Sequence, residues 1–267
     1  MLLIKKINLN WDLNLIKSKK LLKFKNIEHA FFNSLGGKSN GVFKSLNCGL
    51  GSSDNKKDVL KNLAIVEKKI KSKSKKIILL SQIHSNKFYY IDKGSNINKK
   101  KFKGDALITN RPYTPIAILT ADCAPVLIYD QNNKMVAAIH VGWKGAFKSI
   151  VKKVIRFMIK KGCSSKNMTA VIGPSISIKN YEVKQDFINR FVKKDKNNKK
   201  FFKKSKSKNY FNLNKYIYSQ LKSLNIKKID IIKKDTFNIK NKFFSARRSI
   251  SRNENDYGRN ISIIMIN

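Results

Sequence analysis

The chain has 267 residues, of which 42% are hydrophobic, so it is long enough and apolar enough to bury a substantial core. No apolar run approaches the ~20 residues that a membrane-spanning helix needs, and the first residues lack the apolar segment of a signal peptide. The three cysteines lie far apart and do not form the pattern of a disulfide framework. We therefore expect a cytoplasmic protein whose thiols stay reduced.

The formal net charge is +42, with 58 Lys and Arg residues against 16 Asp and Glu residues. Such an excess first indicates nucleic acid or an anionic membrane surface as a partner. Only seven of the basic residues are Arg, however, and the lysines are scattered along the chain, with local runs at 69–76 and 193–208. This scatter is typical of a general compositional bias. We expect salt-sensitive adhesion to polyanions without a specific nucleic-acid partner, and keep a polyanion-binding protein with a degenerate site as the non-enzyme alternative.

Apolar runs predict strands along the whole chain. The predicted strands cover residues 88–91, 105–108, 116–119, 126–129, 135–141, 169–172, 229–232 and 261–266. Pro125 is expected to break regular structure before the fourth of these strands. This series of strands, alternating with helices, predicts an α/β or α+β fold.

One strong helix is predicted from Phe147 onward and is closed by Gly162. Its apolar residues recur with helical period at Ile150, Val151, Val154, Ile155, Met158 and Ile159. Further helices are predicted over residues 185–191 and 213–224. The Lys-rich stretch 193–208 is predicted to be a solvated loop.

Two of the three histidines and one cysteine fall where predicted strands end, at His84, Cys123 and His140. Imidazole, thiolate and imidazole form the three-ligand set of a catalytic zinc site, whereas a structural zinc site needs four protein ligands. The ligands are 39 and 17 residues apart, so only the fold could assemble them. The alternative is an inert thiol with hydrogen-bonded histidines. Zinc is the expected metal, and Cu²⁺ is expected to bind in vitro.

Residues next to these ligands are candidates for further roles. Asp122 is a candidate general acid or base, with a turn-stabilising role as the alternative. Residues 142–145 lead into the predicted helix, whose free amides and dipole, together with Lys144, predict a phosphate site. Trp143 is a candidate for stacking on a purine, or else a core residue. Gln82 is predicted to orient the loop that carries the first histidine.

Three of only seven arginines are Arg247, Arg248 and Arg259. In a chain dominated by lysine, a retained arginine indicates a need for the planar guanidinium group. Oxygens of phosphate or ribose would meet that need. Ion pairs within the fold are the alternative for each of the three.

Six short blocks, in this order, resemble the bacterial laccase-domain family, which is also called the purine nucleoside phosphorylase or peptidoglycan-editing-factor family. The blocks are GG at 36–37 with SLNCGLG at 45–51, SQIHS at 81–85, TADCAP at 120–125, HVGWKG at 140–145, GPSI at 173–176 with YEV at 181–183, and FFSARR at 243–248 with GR at 258–259. The resemblance runs from about His29 to the end of the chain. It implies an α+β fold, a single domain over 1–267 with mixed β-sheets between helical layers (α/β/β/α). Residues 1–28 would be an N-terminal extension of that domain.

The resemblance also implies a function. It predicts phosphorolysis of adenosine, inosine and S-methyl-5′-thioadenosine at a zinc site, with adenosine deamination as a second activity, in a monomer or homodimer without a membrane span. Asn47, in the first block, is then expected to contact substrate or phosphate. The alternative within the family is hydrolysis of a mis-loaded amino acid from a muramyl precursor. Laccase chemistry is excluded because a multicopper centre needs about ten imidazoles and the chain has three.

The chain also departs from the family pattern. Lys144 and Ser34 stand where the family usually has Arg, Leu63 where it often has Arg, and Ala246 where it often has Tyr. Lys144 keeps the positive charge but loses the bidentate guanidinium group. Each of the other three departures removes a polar or aromatic contact, so we expect weaker activity or a shifted substrate range.

Overall fold

A computed structural model describes residues 15–70, 76–92, 94–95 and 103–267 of the chain. The first fourteen residues of the predicted N-terminal extension, and most of the Lys-rich run at 69–76, lie outside these described residues. Within the described part, no helix is both long enough and apolar enough to cross a membrane. The α-helices are α1 (Lys56–Lys69), α2 (Trp143–Phe147), α3 (Ile150–Lys160), α4 (Gln185–Lys194), α5 (Leu213–Lys222) and α6 (Ala246–Ser251), and the 3₁₀ helices are Gly41–Phe43, Lys196–Phe201 and Ile239–Asn241.

The strands are β1 (Leu15–Ile16), β2 (Ile27–Phe32), β3 (Phe88–Ile91), β4 (Ala106–Thr109), β5 (Ile116–Thr120), β6 (Ala124–Asp130), β7 (Met135–Val141), β8 (Met168–Ile172), β9 (Glu182–Val183), β10 (Phe202–Ser205), β11 (Lys208–Phe211), β12 (Lys228–Ile231) and β13 (Asn260–Ile266). They form three sheets. The four-stranded sheet has the antiparallel order β1-β2-β13-β5 and the three-stranded sheet has the antiparallel order β10-β11-β9. The six-stranded sheet has the order β12-β8-β6-β7-β4-β3, with parallel pairing at its two edges and antiparallel pairing between them.

Two of these sheets pack face to face, with helices on both outer sides. Successive residues of β7 alternate between two clusters: Ala137 packs with α3 and α5, and Ala138 packs against the four-stranded sheet. On the far side of the four-stranded sheet, Leu63 and Val66 of α1 complete a third cluster. The layers are therefore helix, sheet, sheet and helix, which confirms the predicted α+β fold with mixed sheets between helical layers.

The predicted solvated loop at 193–208 was wrong. It contains the end of α4, a 3₁₀ helix and the strand β10, which pairs with β11 in a hairpin. The physical reason is the pair of phenylalanines within the lysine run: Phe201 is buried edge-on to Tyr216, and Phe202 stacks on Phe211 at 5.0 Å. The lysines of this stretch then project from a segment held by aromatic packing.

Pro125 does not break the structure either. It is the second residue of β6, opposite His140 of β7, and its carbonyl oxygen accepts a hydrogen bond from Gly173 just after β8 ends. Near the end of a strand the missing N–H of proline costs little, because few ladder bonds are lost there. As a result, β6 is regular from Ala124 onward, and the residues just before it lie at the end of the sheet.

The predicted helix begins later than Phe147, at Ile150, and a separate short helix precedes it. Ser149, at φ 59°, stands between the five-residue α2 and the eleven-residue α3. The apolar stripe of α3 is buried as predicted, except for Ile159, which is 40% exposed. Lys144 therefore belongs to a helix of little more than one turn, which has too few aligned peptides for a strong dipole.

Candidate metal centre

His84, Cys123 and His140 converge at one end of the six-stranded sheet, as predicted from the sequence. Their ligand atoms all lie within 4.8 Å of one another, and the Cys123 Sγ lies 4.0 Å from the His84 Nε2. The two imidazole rings lie 4.9 Å apart in an edge-to-face arrangement. Tetrahedral zinc with these ligands needs atom separations of about 3.5 Å, so the group fits a metal after a small contraction.

A buried carboxylate holds two of the three ligands. Asp105, at the start of β4, is fully buried, and its Oδ1 lies 2.8 Å from the His140 Nδ1. The same Oδ1 accepts a hydrogen bond from the His84 backbone N–H, and Oδ2 accepts two from Ser85, through its N–H and its hydroxyl. From the sequence, Asp105 was only the first residue of a predicted strand. The available signal was one carboxylate in an otherwise apolar strand run.

Burial and charge act against each other on the titratable groups of this centre. Burial alone would raise the pKa of the Cys123 thiol, but the two neighbouring imidazoles lower that pKa below its ordinary value. Burial would lower the pKa of His140, but the Cys123 sulfur and the Asp105 carboxylate raise it. Hydrogen bonds from His140 and Ser85 likewise outweigh burial and lower the pKa of Asp105. The centre therefore favours a thiolate, the form of cysteine that binds metals.

The ligand loops are fixed by further backbone contacts. The side-chain amide of Gln82 makes two hydrogen bonds with the backbone of Leu119. Its Nε2 donates to the Leu119 carbonyl oxygen and its Oε1 accepts from the Leu119 N–H, both at 2.7 Å. This supports the predicted role of Gln82 in orienting the loop that carries His84. His84 itself adopts a left-handed backbone conformation at φ 54°, which non-glycine residues seldom adopt.

A cavity of about 580 Å³ opens beside the three ligands, a volume typical of small-molecule sites. Its walls are largely apolar. Besides the ligands, they comprise Gly49, Leu50, Gly51, Leu79, Leu80, Ser81, Gln82, Leu119, Thr120, Ala121, Tyr257 and Arg259. The cavity thus joins a candidate metal centre to one arginine.

Arg259 is held rigidly at this wall. Its Nη1 donates to the Asp256 carboxylate at 2.7 Å and to the Tyr257 carbonyl oxygen, and its guanidinium carbon lies 4.3 Å from the centre of the Tyr257 ring. Its Nη2 has no acceptor among the described residues. Arg259 therefore lies on the cavity wall, and its contact with a bound anion stays a prediction.

Asp122 joins loops and does not line the cavity. Its Oδ1 accepts from the Thr236 hydroxyl and its Oδ2 from the Arg247 backbone N–H, both at 2.7 Å. It adopts φ 84°, and burial raises its pKa despite these hydrogen bonds. The turn-stabilising alternative accounts for all of these contacts, so the structure favours it over the predicted acid or base role.

Arg247 and Arg248 also direct their guanidinium groups to the protein. Arg247 donates from Nη2 to the Glu182 carbonyl oxygen and lies over the Tyr181 ring. Arg248 donates to three backbone carbonyl oxygens, those of Thr236, Phe237 and Phe243. Neither residue lines the cavity. Both guanidinium groups hydrogen-bond to backbone carbonyl groups of the protein, which agrees with the alternative of contacts within the fold.

Asn47 is fully buried and does not line the cavity, but it hydrogen-bonds to two residues that do. Its Oδ1 accepts from the N–H groups of Gly49 and Arg259, and its Nδ2 donates to Ser52 and Asp54. All of its polar capacity is used within the fold. The predicted substrate contact is replaced by a structural tie between the N-terminal loop and the segment that carries Arg259.

Trp143 and Lys144 are not brought into the cavity. They line a separate surface pocket, where the Trp143 ring lies 5.1 Å from that of Phe187 and the Lys144 Nζ lies over the indole. The core alternative for Trp143 is the one that the packing supports. Because α2 is so short, the structure gives no helix terminus of the predicted kind for phosphate beside Lys144.

The residues that depart from the family pattern make ordinary contacts within the fold. The Ser34 hydroxyl donates to the Lys242 carbonyl oxygen, Leu63 of α1 packs in the core, and Ala246 begins α6.

Comparison with known proteins agrees with this architecture. The sequence model of the family described as multi-copper polyphenol oxidoreductase laccase matches residues 28–267. The purine nucleoside phosphorylase RC0672 of Rickettsia conorii is 35% identical over 191 residues, which cover 71% of this chain and 77% of that protein. The purine nucleoside phosphorylase of Haemophilus influenzae is 32% identical over 263 residues, covering 97% and 98% of the two chains. The crystal structure of the hypothetical protein YfiH from Bacillus licheniformis matches with a TM-score of 0.86 at 25% identity, covering 95% of this chain and 97% of that one.

Proposed function

Because this chain belongs to the multi-copper polyphenol oxidoreductase laccase family, and its relatives are named purine nucleoside phosphorylases, we propose that it is a zinc-dependent purine nucleoside phosphorylase. Adenosine, inosine and S-methyl-5′-thioadenosine are the proposed substrates, and adenosine deamination is a proposed side activity. The observation that carries the proposal is the placing of His84, Cys123 and His140 at a nucleoside-sized cavity with Arg259 on its wall.

Three residues would hold the metal. His84, Cys123 and His140 supply two imidazoles and one thiolate, and a fourth position would stay open, as in catalytic zinc sites. A zinc ion held there would supply Lewis acidity next to the bound nucleoside. The family description names a multicopper enzyme, but His29 is the only other histidine and is buried against the Ser18 N–H. The chain therefore lacks the imidazoles for laccase chemistry.

The cavity walls suit the two parts of the reaction. Leu50, Leu79 and Leu119 offer apolar surface to a purine, and the rigid guanidinium of Arg259 offers N–H donors to phosphate. In phosphorolysis a phosphate oxygen bonds to the anomeric carbon as the bond to the base breaks. The base leaves with a proton, and pentose 1-phosphate remains. Arg259 replaces Lys144 as the proposed anion contact, because it lines the cavity and Lys144 does not.

The test combines metal analysis with kinetics. Purified protein is expected to carry about one zinc per chain and to release adenine from adenosine only when phosphate is present. The Cys123→Ser variant should lose both properties, whereas Cys163→Ser, which alters another buried thiol outside the centre, should keep both. Full zinc retention by Cys123→Ser would contradict the ligand assignment. Phosphate-independent hydrolysis of a muramyl amino-acid precursor, without phosphorolysis, would contradict the substrate assignment.

A further inference from the structure

Among the described residues, Asp105 is the one carboxylate that contacts two of the proposed metal ligands. It contacts the ring of His140 through Nδ1 and the backbone of His84 through its N–H, across separations of 35 and 21 residues. Both contacts use the same oxygen, Oδ1. The other oxygen is taken up by Ser85. Asp105 is also fully buried, so no water competes for these positions.

The contact with His140 fixes which ring nitrogen is available. A carboxylate without a proton only accepts hydrogen bonds, so it favours the imidazole tautomer with the proton on Nδ1. Nε2 is then free of a proton and can bind a metal. Carboxylates that accept from the second nitrogen of a ligating histidine commonly raise metal affinity in this way.

The contacts with His84 and Ser85 fix a backbone conformation. His84 stands at φ 54°, which is unfavourable for a residue with a β-carbon and persists only when its surroundings impose it. Two successive N–H groups, those of His84 and Ser85, point at the two oxygens of Asp105 at 3.0 and 2.6 Å. The carboxylate thus holds the loop in the conformation that brings the His84 ring beside Cys123.

We propose that Asp105 is the positioning residue of the metal centre: one buried carboxylate sets the tautomer of His140 and the loop conformation of His84 together. This inference rests on the proposed metal site. It assigns no contact between Asp105 and substrate. Asp122, although adjacent to Cys123 in sequence, makes no contact of this kind, because its oxygens face Thr236 and Arg247.

The test measures zinc binding by competition with a chromogenic chelator, so it does not depend on any catalytic activity. Asp105→Asn keeps one oxygen, replaces the other by an NH₂ group and removes the negative charge, so it cannot accept from His140 and the His84 N–H on one side and from Ser85 on the other at the same time. Its Kd for zinc is expected to rise 10- to 100-fold. Asp130→Asn is the matched control: Asp130 is also fully buried and accepts from three backbone N–H groups, but at the opposite end of β6. Its Kd for zinc should stay within about threefold of the native value.

A second measurement needs no variant and covers the case in which Asp105→Asn fails to fold. NMR of zinc-loaded protein with ¹⁵N-labelled histidine has only three residues to assign, and His140 should carry its proton on Nδ1 and the metal on Nε2. A proton on Nε2, or an unchanged zinc Kd in folded Asp105→Asn, would overturn the inference. If zinc binding depends on Asp105 but no nucleoside is cleaved, the proposed function fails while the positioning role stands.

Discussion

Gly142 packs so tightly against Cys123 that a β-carbon on it would lie 2.9 Å from the Sγ atom and 3.0 Å from Cδ2 of His84. The side chains of Cys123 and His84 therefore meet over Gly142, the residue that directly follows β7. Its backbone is extended, with φ −78°, so any residue could adopt it. The need for glycine here is steric and concerns the metal centre itself.

The first prediction follows from this contact. Gly142→Ala should separate Cys123 from His84 and raise the zinc Kd at least tenfold, while the thermal stability of the metal-free protein stays close to native. Gly51→Ala is the matched control, because Gly51 also lines the cavity but has open space where its β-carbon would stand. Chelator competition and differential scanning calorimetry give the two readouts. Native zinc affinity in Gly142→Ala would show that the ligands do not meet where the structure places them.

The second prediction concerns the anion contact. Arg259→Met should raise the KM for phosphate in adenosine phosphorolysis by roughly 5- to 150-fold, corresponding to about 1–3 kcal/mol for a charged hydrogen bond, with zinc content unchanged. Deamination needs no phosphate and should suffer less. Arg156→Met removes an exposed arginine of α3 that makes no hydrogen bond or ion pair among the described residues, and should change neither value. A larger increase in the KM for phosphate in Lys144→Met than in Arg259→Met would show that phosphate binds at Lys144 of α2 and not at Arg259.

The third prediction concerns stability against pH. His29 is buried, and burial, reinforced by the charge of Lys17, lowers its pKa from 6.5 to about 4. The folded state favours neutral His29, so this contribution to stability is complete above about pH 6.5 and is lost as the pH falls toward 4. The free energy of unfolding should fall by up to about 3 kcal/mol over that range from this residue.

The matched variant is His29→Gln, whose amide oxygen can accept the hydrogen bond that the His29 Nε2 accepts from the Ser18 N–H at 2.8 Å. Urea denaturation of both proteins between pH 7 and pH 4 isolates the effect, because the carboxyl groups titrate in both. Parallel pH profiles would show that His29 does not titrate differently in the folded and unfolded states.

The fourth prediction concerns the net charge of +42. Binding to single-stranded oligonucleotides should be independent of sequence and should weaken by about a thousandfold or more between 50 and 200 mM salt, as expected for several phosphate contacts. Fluorescence anisotropy with oligonucleotides of unrelated sequence measures this. Tight binding that survives physiological salt and prefers one sequence would favour the nucleic-acid alternative over an enzyme.

Local patterns in the sequence predicted eight of the thirteen strands that the structure describes and pointed to the three proposed ligands. Apolar runs indicate strands because the four central strands of the six-stranded sheet, β8, β6, β7 and β4, are buried on both faces, and β7 was predicted to its last residue. His84, Cys123 and His140 were recognisable because their residue types are rare in this chain and each falls near the end of a predicted strand. Such information is local, and it survives in a single sequence.

Which polar groups meet depends on how the strands pair and could not be predicted from local patterns. Asp105 and His140 are 35 residues apart in sequence and become neighbours through the antiparallel pairing of β4 with β7, whose register no local pattern specifies. The same holds for Arg259, which Asn47 ties to the cavity wall, and for Lys144, which the break at Ser149 leaves on a short helix outside the cavity. A side chain's chemistry is written in the sequence, but its partner is set by strand register and by where a helix ends.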